Sequence, residues 1–167
     1  METAVEGLGG LDILVGNAGG DLDERTVEEG DPDRWTATLE LNLVGAYYCA
    51  RAAIPYLKES ELGKIIVLGS GAGHRGHAGM SAYSCAKAGL WMLVRVLAHE
   101  LWQYNISVNE LIPGPVLTER VKETCAQRDD SVFKIESEWV KRPEDVAPMT
   151  LFLATQPDRA PPAQSFS

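Results

Sequence analysis

A parallel α/β sheet with helices on both faces is the fold class this 167-residue sequence predicts, and two observations predict it. Short apolar runs at 11–16, 64–69 and 106–112 each stop at a turn rich in glycine, asparagine or proline, as strands buried on both faces do. Between them lie long stretches with helical spacing of apolar residues, and strands alternating with helices close into a parallel sheet.

The elements follow in order. Residues 2–10 read as the end of a helix. Leu11-Asp-Ile-Leu-Val-Gly16 is a strand entering the tight loop Asn17-Ala-Gly-Gly20. Asp31-Pro32-Asp33 supplies an N-cap and a proline at the first helical position. The helix it opens runs to about Ser60, with a bend expected near Gly45. Lys64-Ile-Ile-Val-Leu-Gly69 is the second strand, and 71–79 a glycine-rich loop. From Ser81 to about Tyr104 apolar residues recur at 86, 90, 93, 94, 97 and 101, one face of a helix. The strand 106–112 is broken by Pro113-Gly114-Pro115. A polar, charge-mixed helical region is expected over 118–140, a short helix over 143–154, a loop over 157–162 and the start of a last strand at 164–167. No repeat, linker or second domain is visible, so 1–167 reads as one domain.

Composition narrows the function classes. With 45% hydrophobic and 23% charged residues the chain is a globular protein rather than a disordered one. Its formal charge of −9 opposes both a nucleic-acid backbone and an anionic membrane as partner. Three cysteines, Cys49, Cys85 and Cys125, are too few and too odd for a disulfide framework and suit a reducing compartment. The first residues carry no secretory leader, and no apolar run approaches the roughly 18 residues that span a bilayer. A soluble, cytoplasmic domain is expected.

The chemistry concentrates at three residues. Tyr83 and Lys87 stand four apart on a helix and so share one face. Ser70 ends the preceding strand, at the edge where parallel sheets bind ligands. A group that protonates a developing alkoxide works best with a pKa near the working pH. Tyrosine titrates near ~10, so about three units of lowering are wanted, roughly 4 kcal/mol. An ammonium about 4 Å away, at an effective dielectric of about 20, supplies about 4 kcal/mol. Lys87 is therefore a sufficient cause in magnitude.

Asn17-Ala18-Gly19 after a strand, Asn42-Leu-Val-Gly45, Ser70 with Tyr83-x-x-x-Lys87, and Pro113-Gly114-x-x-x-Thr118 occur here in the order of the short-chain dehydrogenase/reductase family. Val108-Asn109 and Arg142-Pro143-Glu144-Asp145-Val146-Ala147 also resemble it. The likeness runs from about Gly7 to Phe152. It implies part of a Rossmann-type doubly wound sheet and an NAD- or NADP-dependent oxidoreductase acting on a small carbonyl or alcohol substrate. It also implies a catalytic tetrad of Asn42, Ser70, Tyr83 and Lys87, with Ser70 and Tyr83 on the substrate and Asn42 orienting a water that links Lys87 to solvent. Asn17, Ala18 and Gly19 would meet the adenosine side of the cofactor. Pro113, Gly114, Val116 and Thr118 would meet its nicotinamide end, beside Tyr83 and Lys87.

Other features receive plainer readings. His74 and His77 lack the further ligands a metal needs and read as a substrate-side loop. Cys85 reads as a small packing residue, Trp91 and Trp102 as packing or a subunit contact, and His99 with Glu100 as a solvated face. Gly71-Ala-Gly73-His-Arg-Gly76 has dinucleotide-fingerprint spacing, but its helix is expected to start about five residues late, and no acid ends a following strand at the right distance.

The sequence also departs from the family. Family members open with a strand and a Thr-Gly-x-x-x-Gly-x-Gly turn whose helix N-terminus holds the pyrophosphate; here neither is present. NAD and NADP are therefore not distinguished. The chain reads as the carboxyl-terminal part of such a reductase, expected to bind dinucleotide weakly by itself and to leave strand 11–16 at a sheet edge. The other reading is a non-catalytic fragment acting as an interaction module. Self-association to a dimer or tetramer is expected through helices 33–60 and 81–104, whose small residues Ala46, Ala50, Ala53, Ala86 and Gly89 exceed what one sheet face requires.

Overall fold

A computed structural model describes residues 1–119, 121–122, 139–157 and 162–167. Four parallel strands, β1 (Ile13–Gly16), β2 (Lys64–Leu68), β3 (Ser107–Leu111) and β4 (Ser165–Phe166), lie side by side in chain order. Val15 pairs with Ile66, Val67 with Glu110 and Leu111 with Phe166. Helices make every crossover: α2 (Pro32–Leu39), a π-helical segment (Glu40–Val44) and α3 (Gly45–Leu57) join β1 to β2, and α4 (Gly71–Arg75) and α5 (Ser81–Leu101) join β2 to β3. α6 (Pro143–Ala154) lies between β3 and β4, and α1 (Glu2–Leu8) precedes the sheet, ending at Gly9 in the left-handed region.

The period of two along β2 divides the core. Ile65 and Val67 join Val108 and Ile106 against α3 and α5, where Ala53, Leu57, Leu90, Val94 and Leu101 are buried. Ile66 faces the other way, with Leu111 and Leu153 of α6. Helices thus cover both faces, the expected doubly wound arrangement. β1 is an edge among the described residues, so its apolar run is half covered: Ile13 and Val15 stay 38% and 43% exposed.

Within the described residues, four details differ from the sequence expectations. The bend expected near Gly45 is a π-helical turn, in which the Gly45 N–H reaches back to the Glu40 carbonyl. The glycine-rich stretch after β2 is not all loop, since Ser70 caps α4 there. The small residues of the long helices do not form a surplus outer face. Ala50, Ala53 and Ala86 are in the core, and a Cβ on Gly89 would come within 2.8 Å of Leu43. They are small because the helices lie close to the sheet and to each other. Cys85, expected to pack, is exposed. α5 ends at Leu101 and continues as a short 3-10 turn (Trp102–Tyr104). Most of the helical region expected over 118–140 lies outside the described residues. No described helix is long and apolar enough to cross a membrane.

Candidate active site

The polar candidates collect at the carboxyl ends of β1, β2 and β3, where the strands hand over to loops. Asp31 opens α2 by accepting from the N–H groups of Asp33 and Arg34. Two turns later the π-helical turn carries Asn42 into the interior, fully buried. Its Nδ2 donates to the carbonyls of Gly20 and Thr38 at 2.7 and 2.8 Å, and its Oδ1 accepts from the Gly20 N–H at 3.0 Å. Asn42 therefore clamps the loop after β1 to the helix.

Lys87 comes from the second turn of α5 and is 3% exposed. Its Nζ donates to the Leu68 carbonyl at the end of β2, at 2.7 Å, and lies 5.5 Å from the centroid of the Tyr83 ring one turn earlier. Burial pushes the ammonium down to about 8, and Glu110 on β3 pulls the other way. Gly19 lets the parts meet: a Cβ there would sit 2.6 Å from Asn42 Oδ1 and 3.3 Å from Lys87 Nζ. Ser70 stands two residues beyond Leu68. Its Oγ accepts from the Ala72 N–H at 3.2 Å, which leaves the hydroxyl proton free to donate elsewhere. α4 rests against α5 at Gly73, where a Cβ would be 2.6 Å from the Lys87 carbonyl carbon. The helix Ser70 caps is thereby seated on the helix that carries Tyr83 and Lys87.

A cleft of about 740 Å³ opens beside these groups. Asn17, Gly19, Tyr83 and Lys87 line it, together with Pro113, Val116 and Thr118. Val146, Leu151 and Ala154 of α6 give it an apolar wall. The loop after β3 is fixed by a bridge between Val116 and Lys141 and by the Leu117 N–H bonded to the Lys141 carbonyl at 2.8 Å. Ala18, Gly114, Ser70 and Asn42 do not line the cleft. Ala18 is exposed on the loop, Gly114 makes the turn at φ 67°, Asn42 is fully buried, and Ser70 stands half-buried just beyond Gly69, which does border the cleft.

Three features were beyond sequence reasoning. One is the Leu68 carbonyl that orients Lys87. Another is Glu110, fully buried in a strand that otherwise reads as apolar. The last is His74, which lies in a helix rather than a loop, bonds the Glu110 carboxylate at 3.0 Å and tilts against Trp91. A charged residue inside the run 106–112 was the only signal for the second of these. The Gly71–Gly76 stretch does open a helix directly, contrary to one ground for setting it aside, but that helix has five residues and its Gly73 serves contact with α5.

Fold and site together define a doubly wound α/β protein whose polar cluster lies at the carboxyl ends of its parallel strands, where such sheets bind ligands. The chain belongs to the short-chain dehydrogenase family, whose model matches residues 1–129. It is 32% identical over 158 residues to the 3-oxoacyl-[acyl-carrier-protein] reductase FabG of Thermotoga maritima, covering 93% of this chain and 63% of that protein. It is 42% identical over 115 residues to trans-4-hydroxycyclohexanecarboxylate dehydrogenase of Sinomonas cyclohexanicum, covering 69% of this chain and 44% of the relative. Its fold superposes on a short-chain dehydrogenase/reductase structure from Burkholderia xenovorans with a TM-score of 0.89 at 28% identity, over 99% of this chain and 66% of the other. ElxO, solved with NADP bound, has the same fold at TM-score 0.90 and 24% identity. The chain thus spans 63% and 44% of the length of these two curated relatives.

Proposed function

We propose that this chain carries the reaction centre of an NAD(P)-dependent oxidoreductase that acts on a small carbonyl or alcohol substrate. The observation that carries the reading is one juxtaposition: the Lys87 ammonium, anchored on the Leu68 carbonyl, sits under Tyr83 and beside the turn that presents Ser70. The open cleft bordered by Asn17, Gly19, Pro113, Val116 and Thr118 is large enough for the nicotinamide end of a dinucleotide, and its lining has room without a side chain at Gly19. Such a cofactor, when bound, supplies the hydride.

The rest is the work of side chains. Tyr83 gives a proton to the carbonyl oxygen as that oxygen becomes an alkoxide, and takes it back in the oxidative direction. Lys87 favours the phenolate by its charge. Ser70 donates a hydrogen bond to the same oxygen, strengthening as negative charge develops there. Asn42, with both amide protons already bonded, acts by holding the Gly19–Gly20 loop against Lys87.

Self-association through the helical face is part of the proposal. The residues that support it are the exposed Leu41, Tyr47 and Tyr48 before and within α3, and Met92 and Val96 one turn apart on α5. A cytoplasmic location fits the sparse cysteines. One observation favours the alternative, a non-catalytic interaction module: β1 is a sheet edge with exposed Ile13 and Val15, a surface suited to pairing.

Two measurements separate the readings. Calorimetric titration of the 167-residue chain with NADH and with NADPH is expected to give weak binding, because the candidate contacts are confined to 17–19, 83–87 and 113–118. The same chain fused behind the amino-terminal part of the Thermotoga reductase is expected to reduce carbonyl substrates. A folded fusion that binds dinucleotide and turns nothing over would favour the module.

A further inference from the structure

Glu110 has no role in the proposed reaction, yet it is buried where a charge is costly. It lies on β3 with no exposed surface, among the largest fully buried side chains of the protein. Removing a carboxylate from water is expensive unless its oxygens are bonded and an opposite charge is near. Both oxygens are bonded: Ser165 Oγ donates to Oε2, and His74 Nε2 lies 3.2 Å from Oε1 and 3.0 Å from Oε2.

The carboxylate also presses on the reactive end of β2. A Cβ on Gly69 would fall 1.8 Å from Glu110 Oε1, so only glycine fits between them. Gly69 lies between Leu68, whose carbonyl holds the Lys87 ammonium, and Ser70. Two successive residues at the end of β2 therefore meet the two charges, Leu68 the cation and Gly69 the carboxylate. His74, its hydrogen-bond partner, is on α4, the helix that Ser70 caps and that Gly73 seats against Lys87.

We propose that Glu110 is a positioning residue, its buried carboxylate being the counter-charge of Lys87 and, through His74, the anchor of the helix that presents Ser70. The chemical consequence rests on the oxidoreductase reading; the placement does not. Burial alone drives the Lys87 ammonium down, and Glu110 opposes that drop. The titratable groups beside Lys87 are Tyr83 on its own helix and Glu110 on β3; His74 on α4 is linked to it through Glu110, and Asp21 in the loop after β1 interacts with Asp23 and Glu24. The π-helical turn and the loop after β1 present Asn42 and Gly19, which carry no charge. A Lys87 that stays charged is what lowers a neighbouring phenol, so a carboxylate that the substrate never touches sets the acidity of the group that does react.

The test needs no turnover, and so fails or succeeds apart from the reaction. Lysine labelled with carbon-13 at Cε reports the Lys87 titration by NMR, with Lys87→Arg identifying the signal. In Glu110→Gln the midpoint is expected to fall by about one unit, the scale of one charge removed from a buried neighbourhood. Glu110→Asp keeps the charge and is expected to hold the midpoint within a few tenths. An unmoved midpoint in the Gln variant, or equal shifts in both variants, would overturn the counter-charge. His74→Leu leaves Glu110 in place and is expected to speed amide exchange at Gly73 of α4 and at its cap Gly76 more than tenfold, with α5 unchanged. Wild-type protection of α4 in that variant would overturn the anchor.

Discussion

β2 and β1 are neighbours in one sheet and pair residue for residue, yet they carry different parts of the site in different ways. β2 is covered on both faces, and the groups grouped around its end are buried or locked: Lys87 on the Leu68 carbonyl, Ser70 as a helix cap, Glu110 against Gly69. β1 is an edge, and Asn17, Ala18 and Gly19 beyond it are exposed, held mainly by the grip of Asn42 on Gly20. The groups assigned to proton transfer stand on the covered part of the molecule, and those assigned to the cofactor's far side on the open part. Reacting groups must be fixed to a fraction of an ångström, whereas a surface that admits a long ligand must first be accessible.

The pair Val15 and Ile66, directly opposite in the register, tests this contrast most strongly. Ile66→Ala is expected to cost about 3–4 kcal/mol in urea unfolding, the range for a buried isoleucine. Val15→Ala is expected to cost under about 1 kcal/mol, because that side chain is already half in water. Equal losses would erase the distinction between centre and edge. Next in size is Gly69→Ala, whose new methyl would meet the Glu110 carboxylate. A loss of about 3 kcal/mol is expected, and combining it with Glu110→Ser should restore much of it. Additivity of the two would mean that they do not touch.

Lys87 offers a pH-dependent version of the same contrast. Its folded-state value, about 8, lies below the ordinary lysine value of 10.5, so between those limits the unfolded chain binds more protons than the folded one. Stability contributed by this group therefore rises with pH across that window and is flat below it. Relative to Lys87→Met, the wild-type chain should gain about 2–3 kcal/mol between the two limits, measured by urea unfolding at intervals of half a pH unit. A parallel pH course in the two proteins would mean that Lys87 is better solvated than its burial indicates. The smallest expected effect is at the start of α2, where Asp31→Ala removes a cap to two N–H groups. It should cost about 1 kcal/mol.

Much of this was legible in the sequence because it is written in short range. Asp31-Pro32 marked the start of α2, and the spacing 86, 90, 94, 97, 101 marked the buried face of α5. α6 begins and ends where Pro143 and Ala154 placed it. Tyr83 and Lys87 were adjacent by helical geometry alone. What escaped depends on tertiary packing. Ala50, Ala53 and Ala86 look like an interface and are core, because nothing local distinguishes a small residue facing a sheet from one facing a partner. α4 hid in a glycine run that local propensity assigns to a loop; it exists because Ser70 caps it and α5 supports it. The link from His74 to Glu110 spans 36 residues and no local pattern announces it.

The central claim is that Tyr83, tuned by Lys87, is the acid and base of a carbonyl reduction. It is tested most directly in the chain fused behind the amino-terminal part of a relative, by the rate of NADH- or NADPH-dependent carbonyl reduction in the Tyr83→Phe variant beside its parent. Phenylalanine keeps the ring and removes only the proton donor, so the account predicts an unchanged circular-dichroism spectrum and thermal midpoint, with turnover reduced at least about 10²-fold, the lower end for a positioned acid. A Tyr83→Phe variant that reduces substrate at the parent's rate would contradict it.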